Sequence, residues 1–314
     1  MAALVENMFY VGREVPWHGL GVQLNNPPTS KEAIVAAGLD WEVIPKPIFN
    51  EKGVQIPNYV ANVRSSDDSV LGIVTNRYTI VQNAEAFDFT DSLVNVEGGM
   101  KFETAGSLRD GKQIWLLGKM PKTTILGDTV EPYICFTNTH DGTGAVRVCM
   151  TPVRVVCNNT LNLALDTAKR SWSTRHIGDI NGKVREAQAT LGLVDAYMSS
   201  LKAECEKLAD VKVSDAEVEA LFDMLYPVNE MTTDITRKRI ELTKESFFKC
   251  FQAEDMKKFR GTGYGAIMAI TDHADHSAPM RKTQNFEQNR WGSIIVGHPF
   301  VDAMYKGLKK IIAA

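Results

Sequence analysis

"FTNTHDGTGAVRVCMTPVRVVCNNTLNLAL" fills residues 136–165, and its reading decides the fold class. Asp141-Gly142 separates two β-compatible runs, which is the chemistry of a tight hairpin turn. In the run that follows, Val146, Val148 and Met150 fall on one side of a strand, and Arg147, Cys149 and Thr151 on the other. The first side is expected to feed a core and the second to offer Arg147 to solvent. After Cys157 the period changes from two to about 3.6, and Asn158 or Asn159 is placed to cap a helix. Free amides at that helix start would add an anion site beside Arg147.

Working outward, the N-terminal side repeats the strand-and-turn pattern. Short apolar runs such as "WEVIPKPIF", "PNYVANVRSS" and "SVLGIVTNRYTIV" are broken by Gly, Pro, Asn and Asp, and a second Asp-Gly pair, Asp110-Gly111, lies between two more β-like runs. Short helices interrupt this region at "SKEAIVAAGL", with Ser30 as the expected N-cap, and at "NAEAFDFTDSLV", opened by Asn83. On the C-terminal side Val184, Ala187, Leu191, Val194, Met198, Leu201, Cys205 and Leu208 recur at helical spacing. "SDAEVEALFDMLYP", "TRKRIELTKESFFKCFQ", "GTGYGAIMAITDHADH" and "PFVDAMYKGLKKII" read as further helices. Strands followed by helices define an α+β class, in which an antiparallel hairpin-rich sheet in the N-terminal half packs against a helical C-terminal half. Residues 1–157 form the strand-rich region and 158–314 the helical one. With no Gly/Ser/Pro-rich linker between them, the expectation is one continuous globular body.

With 44% apolar and 23% charged residues, the chain has an ordinary globular composition, which excludes fibrous and disordered classes. No run approaches the eighteen apolar residues of a membrane span, and the start of the sequence has an acid where a secretory signal needs bases. A cytoplasmic protein with no membrane partner is expected. Cys135, Cys149, Cys157, Cys205 and Cys250 are odd in number and form no C-x-x-C pair, which points to free thiols rather than a disulfide framework or zinc ribbon. The net charge of −3 hides a segregation. Residues 151–185 carry six cations against two acids, whereas 204–234 is dominated by Glu and Asp.

Candidate chemistry sits in the basic stretch. "DTAKRSWSTRHIGDINGKVR" sets Lys169, Arg170, Arg175 and Lys183 around Trp172 and several hydroxyls. Those are the parts of a single-stranded nucleic-acid groove: cations for phosphates and an aromatic face for a base. "HSAPMRKTQNFEQNRW" repeats the mixture with Arg281 and Lys282. Together with Arg147, Arg154, Asn158 and Asn159, these residues form the candidate nucleic-acid site. "GTGYG" at 261–265 lacks the Lys-Ser/Thr of a phosphate loop and reads as a helix start. His273 and His276, at i and i+3 beside Asp272 and Asp275, are a candidate metal pair without an evident third ligand. No motif calls for a cofactor.

"PWHGLG" at 16–21, "DGTGAVRVCMTPVRVVCNNTLNLAL" at 141–165 and the C-terminal "GTGYGAIMAITDHADH...NRWGSIIVG" together resemble the phage- and plasmid-like proteins that carry domain of unknown function 932. Tyr264 stands where that pattern has Trp. The resemblance implies a bacterial cell hosting mobile DNA. A looser, architectural resemblance is to the single-strand annealing superfamily that includes the phage Red-beta and ERF proteins, which implies a basic groove and an oligomer. The combined expectation is a non-enzymatic protein that binds or anneals single-stranded DNA in recombination or replication of phage or plasmid DNA, with homo-oligomerisation. Two alternatives stand beside it. One is a metal-dependent enzyme on nucleic acid or nucleotides using His273 and His276, and the other is a host-takeover or anti-defence module that binds a host protein through the acidic 204–234 segment.

Overall fold

Both Asp-Gly pairs lie at turns between neighbouring strands. In the computed structural model, which describes residues 5–12, 21–94, 99–154, 159–160, 171–179, 182, 193–277 and 297–313, β6 (Lys101–Leu108) and β7 (Gln113–Lys119) pair antiparallel. Arg109, Asp110 and Gly111 close the loop between them at positive φ. β9 (Asp128–Thr139) and β10 (Val146–Arg154) are sheet neighbours joined through Asp141 and Gly142, with Asp141 Oδ1 accepting from the Thr143 amide and hydroxyl at 2.9 and 2.7 Å. The N-terminal half is rich in antiparallel sheet and the C-terminal half is helical.

The chain divides into two compact units. The first comprises Met1–Pro121, Tyr133–Met150 and Ser171–Gly192. Its larger sheet holds β1 (Val5–Val11), which pairs antiparallel with β6 and parallel with β2 (Val22–Leu24), then β7, β9, β10 and β12 (Ser171–Thr174). Its smaller sheet is the antiparallel β3 (Val43–Phe49), β4 (Gln55–Arg64) and β5 (Val70–Thr75). Helices α1 (Ser30–Ala36) and α2 (Asn83–Val94) pack on each other. The cap of α1 is Thr29 rather than Ser30: the Thr29 hydroxyl accepts from the Glu32 amide and Glu32 reaches back to Thr29, because the reciprocal pair needs a Glu three residues on. Arg64, 7% exposed, is held by Asp67 through Nε and Nη2 and by Glu6 through Nη1 at 2.6–2.9 Å, and it lies over Trp41. Those contacts raise its pKa above the ordinary arginine value and hold Asp67 well below the carboxylate range.

The second unit comprises Lys122–Pro132, Thr151–Arg170 and Leu193–Ala314. Its central helix is α6 (Gly263–Asp272), buried from Gly263 to Thr271; α3 (Leu193–Asp210), α5 (Asp234–Phe251) and α7 (Pro299–Ala313) lie against it, and α4 (Asp215–Leu225) packs on α7. On α3, Tyr197, Leu201, Cys205 and Leu208 form the buried stripe that the spacing requires. Ser214 caps α4 with Glu217 completing a capping box, and Thr262 caps α6, so "GTGYG" is a helix start. No helix among the described residues is long and apolar enough to cross a membrane.

Two local expectations change. Asn159 and Thr160 form β11, pairing antiparallel with Arg154 and Val153, so Asn159 does not cap a helix. Its backbone groups complete the edge of β10 in place of starting an i to i−4 ladder. Likewise, among the residues of β10 whose burial is described, the second face is open at Arg147 alone, because Cys149 and Thr151 are as buried as Val146, Val148 and Met150. From Val148 to Thr151 the strand is covered on both faces, so its solvent side is confined to Arg147 among these residues.

Candidate functional site

The β10–β12 ladder fixes what the sequence leaves open about the basic stretch. Arg147 pairs with Ser173, Cys149 with Ser171, Val148 with Trp172 and Val146 with Thr174. Directly paired residues share a face, and alternate residues of one strand do too. Arg147, Cys149, Ser171 and Ser173 therefore share one face, where Ser171 and Ser173 are exposed, Arg147 is half-buried and Cys149 is buried; the exposed Arg175 follows β12 directly. Among the described residues neither guanidinium has an ion-pair partner. Trp172 belongs to the opposite face with Val146 and Val148 and is half-buried. The register thus separates the proposed stacking ring from Arg147.

Arg154 and Asn159 are placed as backbone partners in the β10–β11 ladder. Asn158, Lys169, Arg170, Lys183, Arg281 and Lys282 lie outside the described residues, as does Cys157. His273 is 1% exposed and set between Phe247 and Phe300, with ring centroids 5.9 and 5.5 Å away, while His276 is exposed. Burial pushes His273 down to about 4. Among the described residues no group of three or more His, Cys, Asp or Glu side chains is arranged to hold a metal ion.

The sequence reading missed a buried polar row in the first unit, which begins one residue beyond Arg175. His176 Nδ1 donates to the Thr79 carbonyl at 3.0 Å, the Thr79 amide donates back to the His176 carbonyl at 2.9 Å, and the His176 ring stacks on Tyr78 at 4.4 Å. Asn138 Nδ2 donates to the Val81 carbonyl at 3.0 Å. His140 Nε2 meets Asn83 Oδ1 at 3.1 Å. Because Asn83 Nδ2 already donates to the Leu39 and Trp41 carbonyls, its Oδ1 is the acceptor and His140 carries its proton on Nε2. Thr79, Val81 and Asn83 are thus held at every second position by His176, Asn138 and His140. Asn62 Nδ2 adds a bond to the His140 carbonyl at 2.7 Å.

Asn62, Asn138, His140 and His176 each give a donor to this row, and their acceptors stay bare among the described residues. Among the described residues, Asn62 Oδ1, Asn138 Oδ1, His140 Nδ1 and His176 Nε2 are buried and have no hydrogen-bond partner. Their residues are at most 3% exposed. Burial keeps both imidazoles neutral: desolvation, reinforced by His176 and opposed by Asp141, pushes His140 down to about 3, and desolvation lowers His176 against the Thr79 bond and Asp141. Chemically the row is a neutral hydrogen-bond frame. It fixes segment 78–83 and, through His176 and the Tyr78–Ile177 bridge, the end of β12 from which Arg175 projects. The signal available in the sequence was the continuation of the apolar strand "PYICF" into Asn138 and His140 at alternate positions.

The family model of the domain of unknown function DUF932 matches residues 70–294, more than half of the chain. The chain belongs to the DUF932 family. The matched DUF932 region takes in β5 through α6, and with them the β10–β12 ladder and the Asn83, Asn138, His140 and His176 part of the polar row. No curated protein and no solved structure matches the chain.

Proposed function

We propose that this DUF932 protein binds single-stranded nucleic acid, without catalysis, along the face of Arg147, Ser173 and Ser171 and the Arg175 that follows it. The observation that carries the reading is the placement of Arg147 and two exposed hydroxyls on one face of the β10–β12 ladder with the exposed Arg175 directly after it, neither guanidinium having an ion-pair partner among the described residues. Guanidiniums and hydroxyls together are the donors that proteins aim at phosphate oxygens. With Trp172 on the other face, phosphate contacts rather than stacking supply the affinity, so binding is sequence-tolerant and salt-sensitive. An extended strand presents its donors along a line, which suits a flexible single strand. Service in recombination or replication of phage or plasmid DNA is the setting that the family resemblance favours.

The test is fluorescence anisotropy with labelled single- and double-stranded oligonucleotides across a salt series. Arg175→Glu and Arg147→Glu are each expected to weaken single-strand binding by about tenfold at low salt and to reduce the salt slope by about one. Binding that neither substitution changes, or no binding at low salt, overturns the proposal, and a preference for duplex overturns its single-strand part.

A further inference from the structure

Of residues 171–179, which hold β12 and the exposed Arg175, His176 alone is buried. It is the anchor of that stretch. The β10–β12 ladder ends at Thr174, one residue short of Arg175, and the Ile177 amide donates to the Arg175 carbonyl at 2.8 Å in a tight turn around His176. The His176 imidazole stacks on Tyr78 at 4.4 Å, and Tyr78 is itself fixed by its hydroxyl on the Thr139 carbonyl. Nδ1 donates the ring's proton to the Thr79 carbonyl, while the buried Nε2 has no hydrogen-bond partner among the described residues. Only the neutral ring fits this setting, because a second proton on Nε2 would bury an N–H that none of those residues accepts.

Building on the proposed function, on which the assignment rests, we infer that His176 is a positioning residue for nucleic-acid binding and that its protonation releases Arg175, so that acid weakens binding. Phosphate-binding cations without such an anchor behave in the opposite way, since acid adds positive charge to the protein and tightens its hold on phosphates. The charged and titratable groups around His176 are Tyr78 on the segment it stacks on, His140 and Asp141 just beyond β9, Arg109 bound to Asp141, and Arg175 and Asp179 on its own stretch. Burial lowers the His176 pKa below its ordinary 6.5, against the Thr79 bond and Asp141, which raise it. Anchoring is therefore complete above about pH 6.5 and is lost as the pH falls through the folded value.

Amide hydrogen exchange of the full chain at pH 7.5 and 5.5, corrected for intrinsic rates, reads the release without nucleic acid. The Thr79 amide, bonded to the His176 carbonyl, should open about tenfold more at pH 5.5 than at 7.5, relative to the amides of β7, which report global unfolding. His176→Asn, whose amide can donate to Thr79 but takes up no proton, should abolish that change. Thr79 exchange that does not rise, or that rises equally in His176→Asn, overturns the acid release. Anisotropy with a labelled single-stranded oligonucleotide reads the positioning. At pH 7.5 His176→Ala should weaken binding severalfold, short of the loss from Arg175→Glu, and His176→Asn should restore it. In an Arg175→Ala background His176→Ala should have no further effect. At pH 5.5 and equal ionic strength the wild type should bind more weakly than at 7.5. Equal losses with and without Arg175, or wild-type binding that tightens in acid, overturn the positioning role. A chain that binds no single strand at pH 7.5, while its Thr79 exchange still responds to acid, refutes the proposed function and with it the service to Arg175, but upholds the release at His176.

Discussion

Lowering the pH from 6.5 to 5 is expected to cost the folded chain about 2 kcal/mol through His140 alone. Burial pushes the folded pKa of His140 down to about 3, whereas the unfolded side chain titrates near 6.5. Within that window the unfolded state takes up a proton that the folded state refuses. The stabilisation is therefore complete above pH 6.5 and is lost progressively as the pH falls toward about 3. His176, His273 and His298 are all lowered by burial and act in the same direction. Urea unfolding followed by tryptophan fluorescence at pH 7, 6 and 5 measures the slope. His140→Gln keeps an N–H for Asn83 but removes the titration, and should flatten the slope by about 1.4 kcal/mol per pH unit. An unchanged slope in that variant would show that His140 already exchanges protons with solvent in the folded state.

Gly106→Ala is expected to destabilise the chain by more than about 3 kcal/mol, the scale of severe overpacking. A β-carbon at Gly106 would lie 2.3 Å from the Asn7 carbonyl oxygen, 2.5 Å from Trp115 Cη2 and 2.6 Å from Met8 Cβ. Two of those neighbours belong to β1, which pairs with β6 through this position, and Trp115 is only 6% exposed. None can yield without moving backbone or core. At roughly 2–4 °C per kcal/mol for a chain of this size, thermal unfolding should show a Tm fall of about 6–12 °C. Gly127 offers the contrast. It sits at φ +86° with open space around its missing side chain, so Gly127→Ala carries only the conformational cost of about 1 kcal/mol. Equal losses at the two sites would refute the steric argument.

Much of the fold was legible because its determinants lie a few residues apart. Asp110-Gly111 and Asp141-Gly142 encode turns through their own φ preferences, Ser214 and Glu217 encode a helix start through a reciprocal bond, and the 3.6-residue period of Tyr197, Leu201, Cys205 and Leu208 encodes a buried stripe. The misplacements at Ser30 and Asn159 come from the same source. Several polar residues in a row can each cap a helix, and only the geometry of the backbone chooses among them.

The sequence by itself determined that an antiparallel, hairpin-rich half would be followed by a helical half, and that the chain would resemble its family in three ordered motifs. Tertiary structure alone decided which polar residues would be buried together. His140 meets Asn83 across 57 residues, Asn62 reaches His140 across 78, and His176 holds Thr79 across 97. It also decided the β10–β12 register, which puts Arg147, Ser171 and Ser173 on one face and Trp172 on the other. The physical reason is range. Turn and cap chemistry acts within four residues, whereas the burial of an Asn or His depends on which carbonyl stands opposite it, and that partner is chosen only when distant strands pair.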